Sequence, residues 1–535
     1  MIQENLLLIL SLLFAVSMLS MLSQKLGISY PIFLVIAGLT IGFIPAIPNV
    51  SLDPDLVFLI FLPPLLYSAA WNTSWKDFWQ MKRPISLLAF GLVIFTSTAI
   101  AFLSHAIIPG FPLAMGFLLG GIISPPDAVA ATSVLQGLKI PKRVVTILEG
   151  ESLINDASSL IVFRFAVAAI LTGQFSIWKA SADFLMVASM GIIAGVAIAF
   201  FIYIVHKFLP TTPSIDTAMT IISPYIMYIA AEHFHFSGVL AVVSGGLFLS
   251  YRANEIFTYN SRIQAYSVWE TLVFILNGIV FILIGLQLPT IINELGQNSI
   301  GDAILYGFII SVVTIIIRII WVFPGAYIPR MLSKRIRSTE RRPTPATVFL
   351  VAWSGMRGVV SLASALAVPL TLSNGQSFPH RNLILFITFI VILVTLVLQG
   401  LSLPAIIRLL KIKDDTEEGG HEQEMAIRLR LATAALDHMQ NEYPDELNSI
   451  DAYSRLKERY ERMINIANKK LLNDENVNAK AAFLPKYRQM LIELVTVRRK
   501  ELQKLRSEKI YSEELIRNKE WELDLEEARL NEGNL

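Results

Sequence analysis

Three carboxylates and one guanidinium stand in stretches of this 535-residue chain that are otherwise apolar. The first stretch, residues 150–159, reads GESLINDASS and carries Glu151, Asn155 and Asp156. On a helix Ser152 and Asp156 fall at i and i+4 and share one face, while Glu151 and Asn155 pair on a neighbouring strip. One face therefore offers a carboxylate and a hydroxyl, the oxygen ligands a hard cation such as Na⁺ needs when it sheds water. The plainer alternative is a polar patch that only ties this helix to its neighbours.

The second stretch, residues 120–131, reads GGIISPPDAVAA. Pro125 and Pro126 remove two backbone donors and disfavour helix at the residues before them, so a broken helix is expected. Broken helices at membrane depth are tolerated where they line a cavity. Asp127 follows the break, where it can face the N-terminal end of the second half-helix or lend its field to an ion site; a proline kink with a capping aspartate is the alternative. The third stretch, residues 353–362, reads WSGMRGVVSL and places Arg357 between Gly355 and Gly358. A guanidinium there must be neutralised, and Glu151 is the expected counter-ion, being the acid not needed on the Ser152–Asp156 face.

These groups matter because the chain around them reads as lipid-embedded. Hydrophobic residues make up 54% of it, charged residues 16%, and its mean hydropathy is +0.58. A water-soluble chain of this length could not cover its surface with so few polar groups. An ionisable group inside a membrane span costs a few kcal/mol or more and is a functional candidate by default. Glu149, Arg164, Glu270 and Arg318 lie nearer span ends or can snorkel, and Glu232 with His233 sits near another end, so structural pairing or interfacial exposure is expected for them. His105, alone on an apolar helix, reads as a hydrogen-bonded core residue.

The elements that must position these groups are apolar runs bounded by Gly, Pro or charge, at 5–23, 28–44, 54–71, 85–107, 112–136, 144–171, 182–205, 217–234, 237–250, 266–288, 302–328, 346–369 and 382–410. They predict an all-α polytopic membrane protein of about thirteen spans. The first run starts beside an acidic residue and is longer than a signal-peptide core, so it is read as a span. With the N-terminus outside, alternate loops carry Lys25; Lys76, Lys82, Arg83; Lys139, Lys142, Arg143; Lys207; Arg252, Arg262; and Arg330, Lys334, Arg335, Arg337, Arg341, Arg342, against Lys179 and Arg381 on the other side. That bias predicts an N-terminus outside and a C-terminal tail in the cytoplasm. Two inverted six-helix halves around one linking span would fit the count. Residues 1–410 form the expected membrane domain. Residues 411–535, whose charged and apolar residues alternate at helical spacing as in 463–472 and 488–505, form an expected soluble helical domain.

Taken together, GESLINDASS, SPPDAVAA and GMRGVVSLASALAVP resemble the monovalent cation:proton antiporter family, in its sodium/proton exchanger branch, over roughly residues 6–410. The resemblance implies a homodimeric secondary transporter of the cell membrane serving pH homeostasis, with broken crossing helices. It implies that Asp156 binds the cation and the proton alternately, with Ser152 a side-chain ligand to Na⁺ and Asn155 ordering the site. It also implies a structural ion pair between Glu151 and Arg357, and it matches Asp127 to the aspartate at the family's broken helix. Two departures stand out: proline precedes Asp127 and Ala128 follows it, and Ser68 stands where many relatives carry an acid. With Asn155 where some relatives have a second aspartate, one titrating carboxylate per cycle implies electroneutral exchange. K⁺ in place of Na⁺ is the main rival.

Other classes find less support. The net charge of +2 forms no basic block for nucleic acid, and the absence of cysteine removes disulfides, thiol catalysis and thiolate metal sites. A channel would need a continuous pore and usually repeated filter segments. An intramembrane enzyme lacks a His-Glu zinc motif or a nucleophile–base set, and neither catalysis nor a cofactor is expected.

Overall fold

The computed structural model describes residues 2–44, 57–135, 138, 140–173, 177–295, 299–339, 342–372, 375–412, 416–471, 483–508 and 513–531. Lys139 and Arg341 of the basic loops, the ends of the predicted runs at 28–44 to 54–71 and at 112–136 that fall on 45–56 and 136, and residue 472 of the tail lie outside them in whole or part. The described residues are helical, with a single isolated bridge between Thr371 and Ser377. They divide into two compact units, Met1–Asp414 and Asp415–Leu535.

Among the described residues of the first unit, eight helical stretches are long and apolar enough to cross a membrane, including Lys142–Thr172, Ala182–Phe208, Ile300–Leu332 and Arg381–Leu409. Tyr30–Gly42 and Phe58–Asn72 are apolar but shorter. Helices Pro213–His233 and Gly238–Ile256 and the pair Pro345–Trp353 and Val359–Leu366 fill the other predicted intervals without meeting that measure. The unit exposes large apolar side chains and buries several polar and charged ones among its apolar cores. Phe14, Phe102, Phe201 and Met331 are mostly exposed, whereas Glu151, Asn155, Arg318 and Arg357 are almost completely buried. Such an exterior suits a lipid solvent, and the chain is a multi-pass membrane protein.

Local chemistry sets the helix ends. Thr344 and Ser299 accept hydrogen bonds from the backbone N–H groups of Thr347 and Asp302, each satisfying a donor that its helix leaves free. The Lys142–Thr172 helix begins after Pro141 and stops at Gly173, whose φ of +68° admits the left-handed cap. Its 31 residues span ~46 Å, more than a ~30 Å hydrocarbon core.

That helix lies between two apolar cores. Val144, Leu148 and Ala166 pack into a larger cluster with Leu118, Ile122, Phe281 and Phe386. Leu153 and Ala157 pack into a second cluster with Tyr67, Met227 and Val242. The polar segment 150–159 thus sits on a helix anchored from both sides, which holds its side chains against their own desolvation cost.

The second unit comprises helices Thr416–Glu442, Pro444–Ser449, Asp451–Leu471, Phe483–Glu508 and Glu513–Asn531. Its last two helices share a small core of Val495, Leu523 and Leu530. Arg498 pairs with Glu526, and Arg499 with Asp524 and Glu527, along their flank. The two acids beside Arg499 hold its guanidinium above its already high ordinary range.

Candidate ion-binding site

Two helices are interrupted where they meet. One runs Leu113–Ile123, breaks over 124–127 and resumes as Ala128–Leu135. The other stops at Trp353 and resumes at Val359. They touch at the breaks through the Asp127 N–H, which donates to the Met356 carbonyl at 2.7 Å.

Each break leaves backbone groups without helical partners, and a charged side chain answers on each side. Asp127 Oδ1 accepts from the N–H groups of Val129 at 2.9 Å and Ala130 at 3.3 Å, capping the second half-helix. Arg357 Nη1 donates to the Ser124 carbonyl at 2.6 Å, at the C-terminal end of the first half-helix. An anion thus meets a positive helix end and a cation a negative one, the favourable sense for both. The Arg357 backbone N–H is held by Thr395 Oγ1 at 3.1 Å.

The glycines flanking Arg357 make room for these contacts. A Cβ on Gly358 would run into the Asp127 carboxylate, and one on Gly355 into the side chain of Arg318.

Arg318 corrects the expected ion pair. Glu151 does not pair with Arg357: its Oε1 and Oε2 accept from Arg318 Nη1 at 2.5 Å and Nη2 at 2.7 Å. The same guanidinium also donates to the Val351 carbonyl. The physical reason is reach and geometry. Arg318 lies near the middle of the 33-residue helix Ile300–Leu332, too deep to snorkel, and presents its fork to both carboxylate oxygens. Arg357 is drawn instead to the freed carbonyl of the broken helix.

On the Lys142–Thr172 helix, Ser152 Oγ accepts from the Ala128 N–H at 3.4 Å, and Asn155 Nδ2 donates to the Pro126 carbonyl at 3.4 Å. Both long bonds tie this helix to the first break. A cavity of about 730 Å³ opens beside them, and Ser152, Asp156, Asp127, Pro125, Pro126 and Gly358 lie on its wall. Glu151, Asn155, Gly355 and Arg357 lie behind the wall rather than on it. Tyr30, Ser68, Glu149 and Asn277 also line the cavity and were not singled out as site residues from sequence. Glu149 could have been, because it stands three and seven residues before Ser152 and Asp156 on the same helical stripe.

Two other polar groups of the apolar segments have partners. Arg164 meets Glu232 at 2.8 Å, with the arginine about half exposed. His105 Nδ1 contacts the Phe111 carbonyl at 2.7 Å near its helix end. Together, crossing broken helices, a cavity with acidic side chains on an otherwise largely apolar wall, and a lipid-facing exterior suit a membrane transporter.

Comparison with known proteins gives that class a family. Residues 9–409 match the family described as "Sodium/hydrogen exchanger, transmembrane". A sodium, potassium, lithium and rubidium/H⁺ antiporter of Bacillus pumilus is 36% identical over 386 residues, covering 70% of this chain and 57% of that protein. The chain therefore spans little more than half the length of that relative. A low-affinity Na⁺/H⁺ antiporter of Synechocystis is 31% identical, covering 87% of this chain and 89% of the relative. The sodium proton antiporter MjNhaP1 of Methanocaldococcus jannaschii has the same fold, with a TM-score of 0.61 over 76% of this chain and 99% of that one at 19% identity. The chain belongs to the sodium/hydrogen exchanger family.

Proposed function

We propose that this protein is a secondary active antiporter that exchanges Na⁺ for H⁺ by alternating access, with Asp156 as the carrier carboxylate. The observation that carries the reading is the placement of Asp156 and Ser152 together on the wall of one cavity, one helical turn apart and beside a broken helix. Deprotonated, Asp156 offers a charged oxygen ligand to a cation, with Ser152 Oγ a second. Protonated, it offers neither charge nor a free pair of oxygens, so cation and proton exclude each other. Exchange follows if the carrier reorients only when occupied.

Asp127 serves a different role in this reading. Its Oδ1 is engaged in capping, so it supplies a fixed negative field to the cavity rather than a mobile proton. Asn155 braces the break, and the Glu151–Arg318 pair braces the helix behind it. With one titrating carboxylate, transport is electroneutral, one cation for one proton. The reading needs no cofactor.

The bias of positive loops supports an N-terminus outside and the 411–535 domain in the cytoplasm, in a cell membrane. Thirteen spans, arranged as two inverted six-helix repeats, and a homodimer complete the proposed architecture. K⁺ transport has one specific point in its favour, the potassium in the printed name of the Bacillus relative. Proton movement in proteoliposomes pulsed with Na⁺, Li⁺ or K⁺ tests the exchange and its ion. A Na⁺ or Li⁺ response is expected, a response to K⁺ alone would change the substrate, and a response to none would remove the function.

A further inference from the structure

One face of the Lys142–Thr172 helix forms a wall of the cavity, and the residues it contributes are Lys142, Val145, Glu149, Ser152, Leu153 and Asp156. Their spacing of three and four residues makes a continuous stripe from the helix start to the carrier carboxylate. Lys142 is the first helical residue and exposed, so it marks the mouth, and Asp156 is buried at the far end. Glu149 stands between them, half-buried.

Glu149 has neither a hydrogen bond nor an ion-pair partner among the described residues. Structural acids at this depth do not look like that. Glu151 and Asp127, its neighbours in sequence and in the cavity, are tied to Arg318 and to backbone N–H groups. A half-buried carboxylate facing a cavity with no protein partner is open to a mobile one.

Distance decides what Glu149 can do. Seven residues of helix separate it from Asp156, ~10 Å along the axis. A dehydrated Na⁺ touches its ligands at a quarter of that length, so one ion cannot bridge the two carboxylates. Glu149 is also too far from the site to act on the carrier by contact.

Resting on the function proposed above, we infer that Glu149 is a cation-recruiting residue that holds a partly hydrated monovalent cation in the outer cavity before it reaches Asp156. Its charge offsets Lys142 at the mouth and raises the local concentration of cations over the site, as a cleft lined by one sign of charge does. Asp127 and Asp156 are the other acids facing that space. The residue sets apparent affinity from the side on which the cavity opens and leaves the turnover step to Asp156.

The test is initial-rate exchange in proteoliposomes of the full chain, sorted or assayed by orientation, over a series of Na⁺ concentrations. Glu149→Gln is expected to raise the apparent KM for Na⁺ roughly threefold to tenfold from one face, with kcat retained. Glu149→Asp should restore the KM towards wild type, and Lys142→Gln should lower it. An unchanged KM in Glu149→Gln, or a fall in kcat with KM unchanged, would overturn the inference, as would a KM shift equal from both faces. If wild type exchanges cations and Glu149→Gln behaves identically, the recruiting role alone fails. If wild type answers no cation, the proposed function fails and takes this role with it.

Discussion

Arg318 and Glu151 form a two-bonded ion pair, at 2.5 and 2.7 Å, between the middle of one membrane helix and the polar segment of another. Both side chains are about 1% exposed. Removing either partner leaves a buried charge with nothing to neutralise it, which costs about 3–5 kcal/mol. Arg318→Ala and Glu151→Gln should each lower thermal stability in detergent markedly. Arg318→Lys should recover only part, because an ammonium cannot present the planar fork. Equal stability of Arg318→Ala and wild type would show that the pair does not hold the helices together.

Gly358 faces the Asp127 carboxylate so closely that no side chain fits. Gly358→Ala should displace Asp127 from its cap and disturb the crossing of the broken helices, at a cost of about 1–3 kcal/mol. Transport should fall with it, whereas Gly173→Asn, at a surface cap with space around it, should be tolerated. Parallel melting curves and exchange rates would check both.

Asp127 separates charge from capping. Asparagine can still accept from the Val129 and Ala130 N–H groups, so Asp127→Asn should fold, while Asp127→Ala should lose about 1 kcal/mol of stability. Exchange should fall in both, since the field of a carboxylate is gone. Wild-type exchange in Asp127→Asn would limit the residue to capping.

The proposed single carrier carboxylate would make the cycle electroneutral. At saturating Na⁺ and fixed pH on both sides, imposing a membrane potential with K⁺ and valinomycin should leave the exchange rate unchanged. A rate that tracks the potential would require a second charge to move in each cycle.

Local patterning made much of this molecule legible. Apolar runs and their polar punctuation marked where helices lie, and Pro125–Pro126 marked where one of them stops. The i, i+4 relation of Ser152 and Asp156 also marked which residues share the cavity wall. Pairing across the bundle was not legible. Nothing near Glu151 in the sequence says whether Arg318 or Arg357 faces it, because that depends on how helices distant in the chain are docked, 167 residues apart in the case of Arg318. Arg318 did carry a signal, its position near the middle of an apolar run. Arg357 looked like the counter-ion because its competing partner, the Ser124 carbonyl, exists only once the helix has broken. Glu149 was passed over as a residue near a span end, although its helical register pointed at the same cavity.

The most direct test is proton release on Na⁺ binding, followed with a pH indicator in weakly buffered detergent solution. Wild type should release one proton for each Na⁺ bound, and Asp156→Asn, correctly folded by its melting curve, should release none and bind Na⁺ no better than background. Proton release that persists undiminished in Asp156→Asn would contradict the assignment of a shared carboxylate to Asp156.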